Sequence, residues 1–291
     1  MIERTPGCRT AEEFTPNGQK SSGVWSGVEV IMADVQATVW GDGPISAVFV
    51  HGIFSWGVDE LYGFGNQRPL EDEFRLVMMD RRGHGASPDI EGSDYEADAD
   101  DITALLGDGA HLVAHSYGGA GAMLAAVRRP DLVRSLTLIQ PGTLRPAAGH
   151  PVVDEALERA RAGTAGLPPE MTPEEYLRAS TEGIGMPVPE ATPERLRAVR
   201  AAMRERPCWD AEIPLDQLAA APWPKLMISG TWEDAPELYR RYAGEPLIAA
   251  AEFIAERIGA RYLKVPGYYP QVQQPSTVND ALRDLWQCGP E

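Results

Sequence analysis

Six short, largely uninterrupted apolar runs mark the chain: ISAVFV (45–50), FRLVMM (74–79), HLVA (111–114), VRSLTLI (133–139), KLMIS (225–229) and RYLKV (261–265). Runs of this length with no polar alternation fit strands buried on both faces of a parallel sheet. Upstream, GVEVIMADVQATVW (27–40) alternates apolar and polar positions, as a hairpin with one covered face does. Helical stretches separate most of the runs. Strand, helix, strand repeated in this way predicts an α/β fold with a mostly parallel, doubly wound sheet, whose ligands sit at the carboxyl ends of the strands.

Between 145 and 220 the period changes. HPVVDEALERARAG, TPEEYLRASTEGIG and TPERLRAVRAAMRERP carry helical spacing, and two of them open with Thr-Pro, a helix-start signal. The stretch follows directly on VRSLTLI, so it predicts a helical lid inserted after strand 6, at the edge of the sheet where ligands bind. The expected organisation is therefore a loosely ordered arm over 1–25, an α/β core over 26–144 and 221–291, and a lid over 145–220.

Composition narrows the function classes. The chain has 291 residues, 43% of them hydrophobic and 24% charged, and no apolar run near the roughly 18 residues of a membrane span. Its 43 acidic and 26 basic side chains give a net charge of −17, which disfavours nucleic acid and anionic lipid surfaces as partners. Cys8, Cys208 and Cys288 are odd in number and widely spaced, so neither a disulfide framework nor a zinc site is indicated. The polar start MIERTPGCRT is no secretory signal, and the expected location is cytoplasmic. The acid-rich run DIEGSDYEADADD (89–101) lacks the ligand pattern of a Ca²⁺ loop and reads as a solvated loop that ends by capping a helix.

The chemistry concentrates in HLVAHSYGGAGAMLAA (111–126), a strand, a serine among small residues, then a helix. A serine at such a turn projects its hydroxyl above the sheet, and the helix N-terminus offers backbone N–H groups to a developing oxyanion. Ser116 is the candidate nucleophile and Tyr117 supplies one amide. VFVHGIFSW (48–56) ends a strand in His51-Gly52, where the chain can fold back and aim the amide of Ile53 or Phe54 at the same point.

Together with the turn in VMMDRRGHGASP (77–88), these segments resemble the α/β-hydrolase superfamily, in its lidded serine-nucleophile form, over about 27–142 and 222–287. The resemblance implies an acid after KLMIS, where Asp234 or Glu233 stands, or else after the preceding strand, where Gln140 cannot carry charge. It also implies a histidine after the last strand. There the chain reads VPGYYPQ, with Pro270 in the histidine slot, so the triad is degenerate. His150, on the segment leading into the lid, is the candidate surrogate base. The imidazoles of His51 and His115 are expected to turn inward and satisfy backbone groups. Candidate substrate contacts are His51 and Gly52, Tyr268 and Tyr269 of the last loop, and Trp209 of the lid. Met171, Met186 and Met203 read as lid-to-body packing.

Loss of a triad histidine costs on the order of a millionfold in turnover in the serine-protease example, while roughly a thousandfold advantage survives from oxyanion stabilisation and binding. The expected function is an enzyme acting on a small apolar carbonyl compound, such as an ester, lactone or polyketide-like molecule. Elimination or cyclisation suits its residues better than hydrolysis, and the resemblance places it in bacterial specialised metabolism. The alternatives are a true serine esterase, lactonase or thioesterase using His150, and a non-catalytic small-molecule-binding homologue. No cofactor and no metal are called for, and the partner expected is a small-molecule substrate.

Overall fold

A computed structural model describes residues 28–32, 34–89, 94–165, 168 and 170–287. The expected arm over 1–25 lies outside the described residues, as do Cys8 and Cys288. Eight strands form one sheet: β1 (Val28–Met32), β2 (Val35–Trp40), β3 (Ser46–Val50), β4 (Arg75–Met79), β5 (Ala110–His115), β6 (Val133–Ile139), β7 (Lys225–Gly230) and β8 (Arg261–Val265). Their spatial order is β1-β2-β4-β3-β5-β6-β7-β8. The β1–β2 hairpin and the β2–β4 pair are antiparallel, and every other pairing is parallel. The predicted α/β architecture and the six core strands are present.

The runs are continuous because both faces are covered. Val48 and Val50 of β3 face a core built with α1 (Tyr95–Leu105), α2 (Gly118–Arg128) and the later helices α6 (Leu215–Ala220) and α8 (Glu245–Ile258). Ala47 and Phe49 face the opposite core, closed by α10 (Pro275–Gln287). Phe49 sits edge-on to Phe64 at 5.1 Å and to Trp286 at 6.2 Å. Cutting a side chain so enclosed back to alanine costs about 3–5 kcal/mol. Helix α1 starts where Asp94 accepts from the amides of Glu96 and Ala97, so the acid-rich run does end in a cap.

Between β6 and β7 the chain makes α3 (Pro151–Ala165), α4 (Pro173–Thr181) and α5 (Pro193–Ala202), followed by α6. The Thr-Pro starts work as predicted. Thr172 and Glu175 form a reciprocal capping box, and Thr192 accepts from the amide of Arg195. After β7 and β8 come the short turns α7 (Glu237–Tyr239) and α9 (Pro270–Gln273). No helix among the described residues is long and apolar enough to cross a membrane.

Candidate active site

Parallel strands end on the same edge, and there the backbone is strained. Among the described residues, four that are not glycine hold a positive φ: Phe54 (57°), Ser116 (51°), Gln140 (45°) and Trp232 (61°). They follow β3, β5, β6 and β7 respectively, and all four line one cavity of about 280 Å³. Such left-handed conformations persist only where the surroundings enforce them, and they cluster at functional sites.

Ser116 stands between β5 and α2, the strand-to-helix turn that the sequence predicted. The turn is crowded enough to need its small residues: a Cβ on Gly118 would come within 2.6 Å of the His51 carbonyl oxygen. Across the turn lies Gly52, where a Cβ would stand 3.0 Å from Ser116 Cβ and 3.2 Å from His115 Nδ1. The segment after β3 therefore abuts the serine. The Ser116 hydroxyl itself makes no hydrogen bond among the described residues, so none of their acids or bases is docked on it.

Two buried arginines hold the 52–54 segment by its carbonyls. Arg81 donates from Nη1 to the Gly52 oxygen at 3.3 Å, from Nε to Asp98 at 2.7 Å, and from Nη2 to Glu205 of the helical insertion. His51 completes the clamp. Its Nε2 accepts from the Arg81 amide at 3.0 Å, which leaves the proton on Nδ1, 2.8 Å from the Gly52 oxygen. A trans peptide is planar, so a Gly52 carbonyl fixed toward Arg81 and His51 turns the Ile53 N–H the opposite way. Arg195 of α5 donates to the Phe54 oxygen and pairs with both oxygens of Asp59, at 2.7 and 3.1 Å. Burial would raise the Glu205 carboxyl, but Arg81 and His84 outweigh it and hold Glu205 below the usual range. Asp98, with burial dominant, is raised to about 6.

The cavity wall is aromatic and uncharged. Tyr62, Tyr176, Tyr239 and Tyr269 contribute phenols, joined by Phe54 and Trp232, and among the described residues no Asp, Glu, Lys or Arg lines it. The Tyr239 and Tyr269 hydroxyls lie 2.9 Å apart. Burial pushes Tyr239 up to about 12 and Tyr269 well above its ordinary value, so both stay protonated as neutral donors. Gln140, in the slot where some hydrolases carry their acid, ties three loops together. Its Oε1 accepts from the Gly230 amide at 2.8 Å and from Trp232 Nε1 at 2.9 Å, while Nε2 donates to the Tyr268 oxygen at 3.0 Å.

Several predicted site residues lie elsewhere. Glu233 and Asp234 are exposed and do not line the cavity, because Trp232, 1% exposed, takes the inward position and sends the next two residues outward. His150 is exposed at the start of α3, where its carbonyl accepts from the Asp154 amide. Trp209 packs against the Leu144–Leu157 cluster rather than the cavity. His51 is fully buried and serves the backbone, as its inward-turning imidazole was expected to; it does not reach the cavity. Tyr268 packs on Trp232 and Tyr239 outside the lining, whereas Tyr269 faces in, beside Ser116. The Tyr117 hydroxyl points away and donates to the Arg206 oxygen. His115 does not satisfy the backbone as expected: its ring lines the cavity and its Nδ1 has no partner.

Residues 47–281 match the alpha/beta hydrolase family. The chain belongs to that family. Among its relatives, the 2-(acetamidomethylene)succinate hydrolase of Mesorhizobium japonicum is 39% identical to this chain over 105 residues, covering 34% of this chain and 36% of that protein. Lipase LipV of Mycobacterium tuberculosis is 27% identical over 232 residues, 76% of this chain and 84% of the lipase. In the relatives above 30% identity named first, the aligned stretch spans roughly a third of their own length. Among solved structures, a thermophilic esterase from Thermogutta terrifontis, malate bound, superposes with a TM-score of 0.57 at 25% identity, over 90% of this chain and 98% of that one.

Proposed function

We propose that this α/β hydrolase binds a small uncharged carbonyl compound beside Ser116 and promotes its cyclisation by stabilising negative charge on the carbonyl oxygen. One observation carries the reading: Gly52 abuts the Ser116 turn, yet no base of the described chain is docked on the Ser116 hydroxyl. The amides of Tyr117, at the positive end of α2, and of Ile53, turned away from the Arg81 clamp, are the donors. A pericyclic ring closure fits, because the new σ bonds form from the substrate's own π bonds, with no proton lost and no group expelled; it needs only a held conformation and a polarised carbonyl. Elimination would require a base, and His115, the one imidazole lining the cavity among the described residues, is lowered by burial to about 4 and is too weak a base to serve.

The Tyr239–Tyr269 pair, in which one phenol donates to the other, has one O–H left to donate to a second substrate oxygen, and Phe54, Tyr176 and Trp232 supply apolar contact. A dicarboxylate such as the compound in the Mesorhizobium enzyme's name would find no counter-charge here. The helical insertion is the lid, latched to the oxyanion segment through Arg195 and Glu205. Exposed outside the cavity, Glu233, Asp234 and His150 take no part.

The activities for which the relatives are named, hydrolase and lipase, favour a second reading as a serine hydrolase. Turnover of p-nitrophenyl acetate and butyrate separates the two. Rates within about tenfold of the Ser116→Ala variant are expected. Turnover in the ordinary enzymic range, about 1–10³ s⁻¹, abolished by Ser116→Ala, would establish hydrolysis and retire the cyclisation reading.

A further inference from the structure

His115 precedes the serine and is the only histidine lining the cavity among the described residues. It is 5% exposed, and neither ring nitrogen has a hydrogen-bond partner among the described residues. Nδ1 is sealed from solvent against Gly52, whose Cβ position would lie 3.2 Å away. The ring meets Tyr269 edge-on at 6.1 Å. His111 makes a useful contrast. It too has one unpartnered nitrogen, but it bonds Ser135 through Nδ1 and stacks on Trp286, away from the cavity.

A neutral imidazole carries one N–H and one lone pair. Burial without a charged partner lowers His115 to about 4, so it is neutral near pH 7. A proton on Nδ1 would find no acceptor among the described residues, an orphaned buried donor of the kind that native proteins avoid. The proton therefore belongs on Nε2. We propose that His115 is held as the Nε2–H tautomer and donates that hydrogen bond to an oxygen of the bound substrate, making it a substrate-binding residue beside Ser116. This rests on the cavity being the substrate site, as in the proposed function. A donor of this kind selects an acceptor oxygen, such as a ketone, lactone or ester carbonyl or an ether oxygen, on an otherwise apolar, uncharged molecule.

Nitrogen-15 NMR of the histidine-labelled protein tests this, with His115→Gln assigning the resonance and acetophenone as the neutral carbonyl probe. At pH 7 the His115 ring should show a protonated Nε2 and a bare Nδ1, with no titration above pH 5. Acetophenone should shift its Nε2 resonance. His115→Phe should weaken acetophenone binding at least tenfold, whereas His115→Gln, which keeps a donor near the same place, should stay within about threefold. A proton on Nδ1, titration near pH 6.5, or equal acetophenone affinity in His115→Phe would overturn the inference. If acetophenone perturbed neither His115 nor the Tyr269 and Trp232 signals, the cavity reading would fall, and this inference with it.

Discussion

Arg195→Met removes one half of a buried ion pair. The Arg195 and Asp59 side chains are 6% and 4% exposed, and the two contacts, 2.7 and 3.1 Å, are bidentate. The guanidinium also lies over the rings of Trp56 and Tyr62, at 4.6 and 5.1 Å, and bonds the Phe54 oxygen. Methionine keeps much of the bulk but leaves the Asp59 carboxylate with only the Leu61 amide among the donors seen here, at 3.1 Å. Breaking a buried pair from one side costs about 3–5 kcal/mol. In a domain of this size each kcal/mol moves the melting temperature by about 2–4 °C, so a fall on the order of 10 °C is expected by scanning calorimetry. The double variant Arg195→Met/Asp59→Asn removes the stranded charge as well and should recover at least half of that loss, since replacing both partners of a buried pair is often close to neutral. A loss below about 2 °C in the single variant, or no recovery in the double, would refute a desolvated latch and make the contact an ordinary surface pair.

Gln140→Leu strands the Gly230 amide and Trp232 Nε1, two buried donors at about 1–3 kcal/mol each, so urea unfolding should show a loss above about 2 kcal/mol; a near-neutral result would mean that the three loops hold without it. Acidification should destabilise the protein. Burial first of all lowers His51 well below its ordinary value and His111 and His115 to about 4, so between about pH 6.5 and 4 the unfolded chain takes up protons that the folded state refuses. At pH 5 the deficit is about 2 kcal/mol for each of His111 and His115. Asp98, raised to about 6, acts in the opposite sense and offsets part of it. Urea midpoints should fall from pH 7 to pH 5, and a rise would show that these rings are not buried as neutral groups.

The sheet was legible because doubly covered strands must be apolar at every position, a signal carried inside five or six residues. The Ser116 turn was legible for the same reason: strand, small residues and helix adjoin in sequence. Trp232 was not. Whether Trp232, Glu233 or Asp234 faces inward depends on a positive φ and on a hydrogen bond to Gln140, 92 positions away, and neither is written in the local composition. The tyrosine wall is similarly hidden, since Tyr62, Tyr176 and Tyr239 sit in separate segments and meet only through the fold. His115 was expected to turn inward like His51. The two differ because His51 finds the Arg81 amide and the Gly52 carbonyl, and His115 finds no hydrogen-bond partner among the described residues.

The arginine latches bear on how freely this protein could be recombined. A cover that merely shut a cavity could be exchanged for another of similar shape. Here the insertion contributes Arg195 and Glu205, and the body contributes Asp59, Arg81, Asp98 and His84, so the two parts share buried ion pairs and hydrogen bonds. A chimaera that took the insertion alone would bring charges without their complements, and leave behind others in the same condition. The smallest transplantable unit is therefore the insertion together with residues 51–64, the 80–85 turn and Asp98 of α1, separate stretches of the chain that would have to be inherited as one.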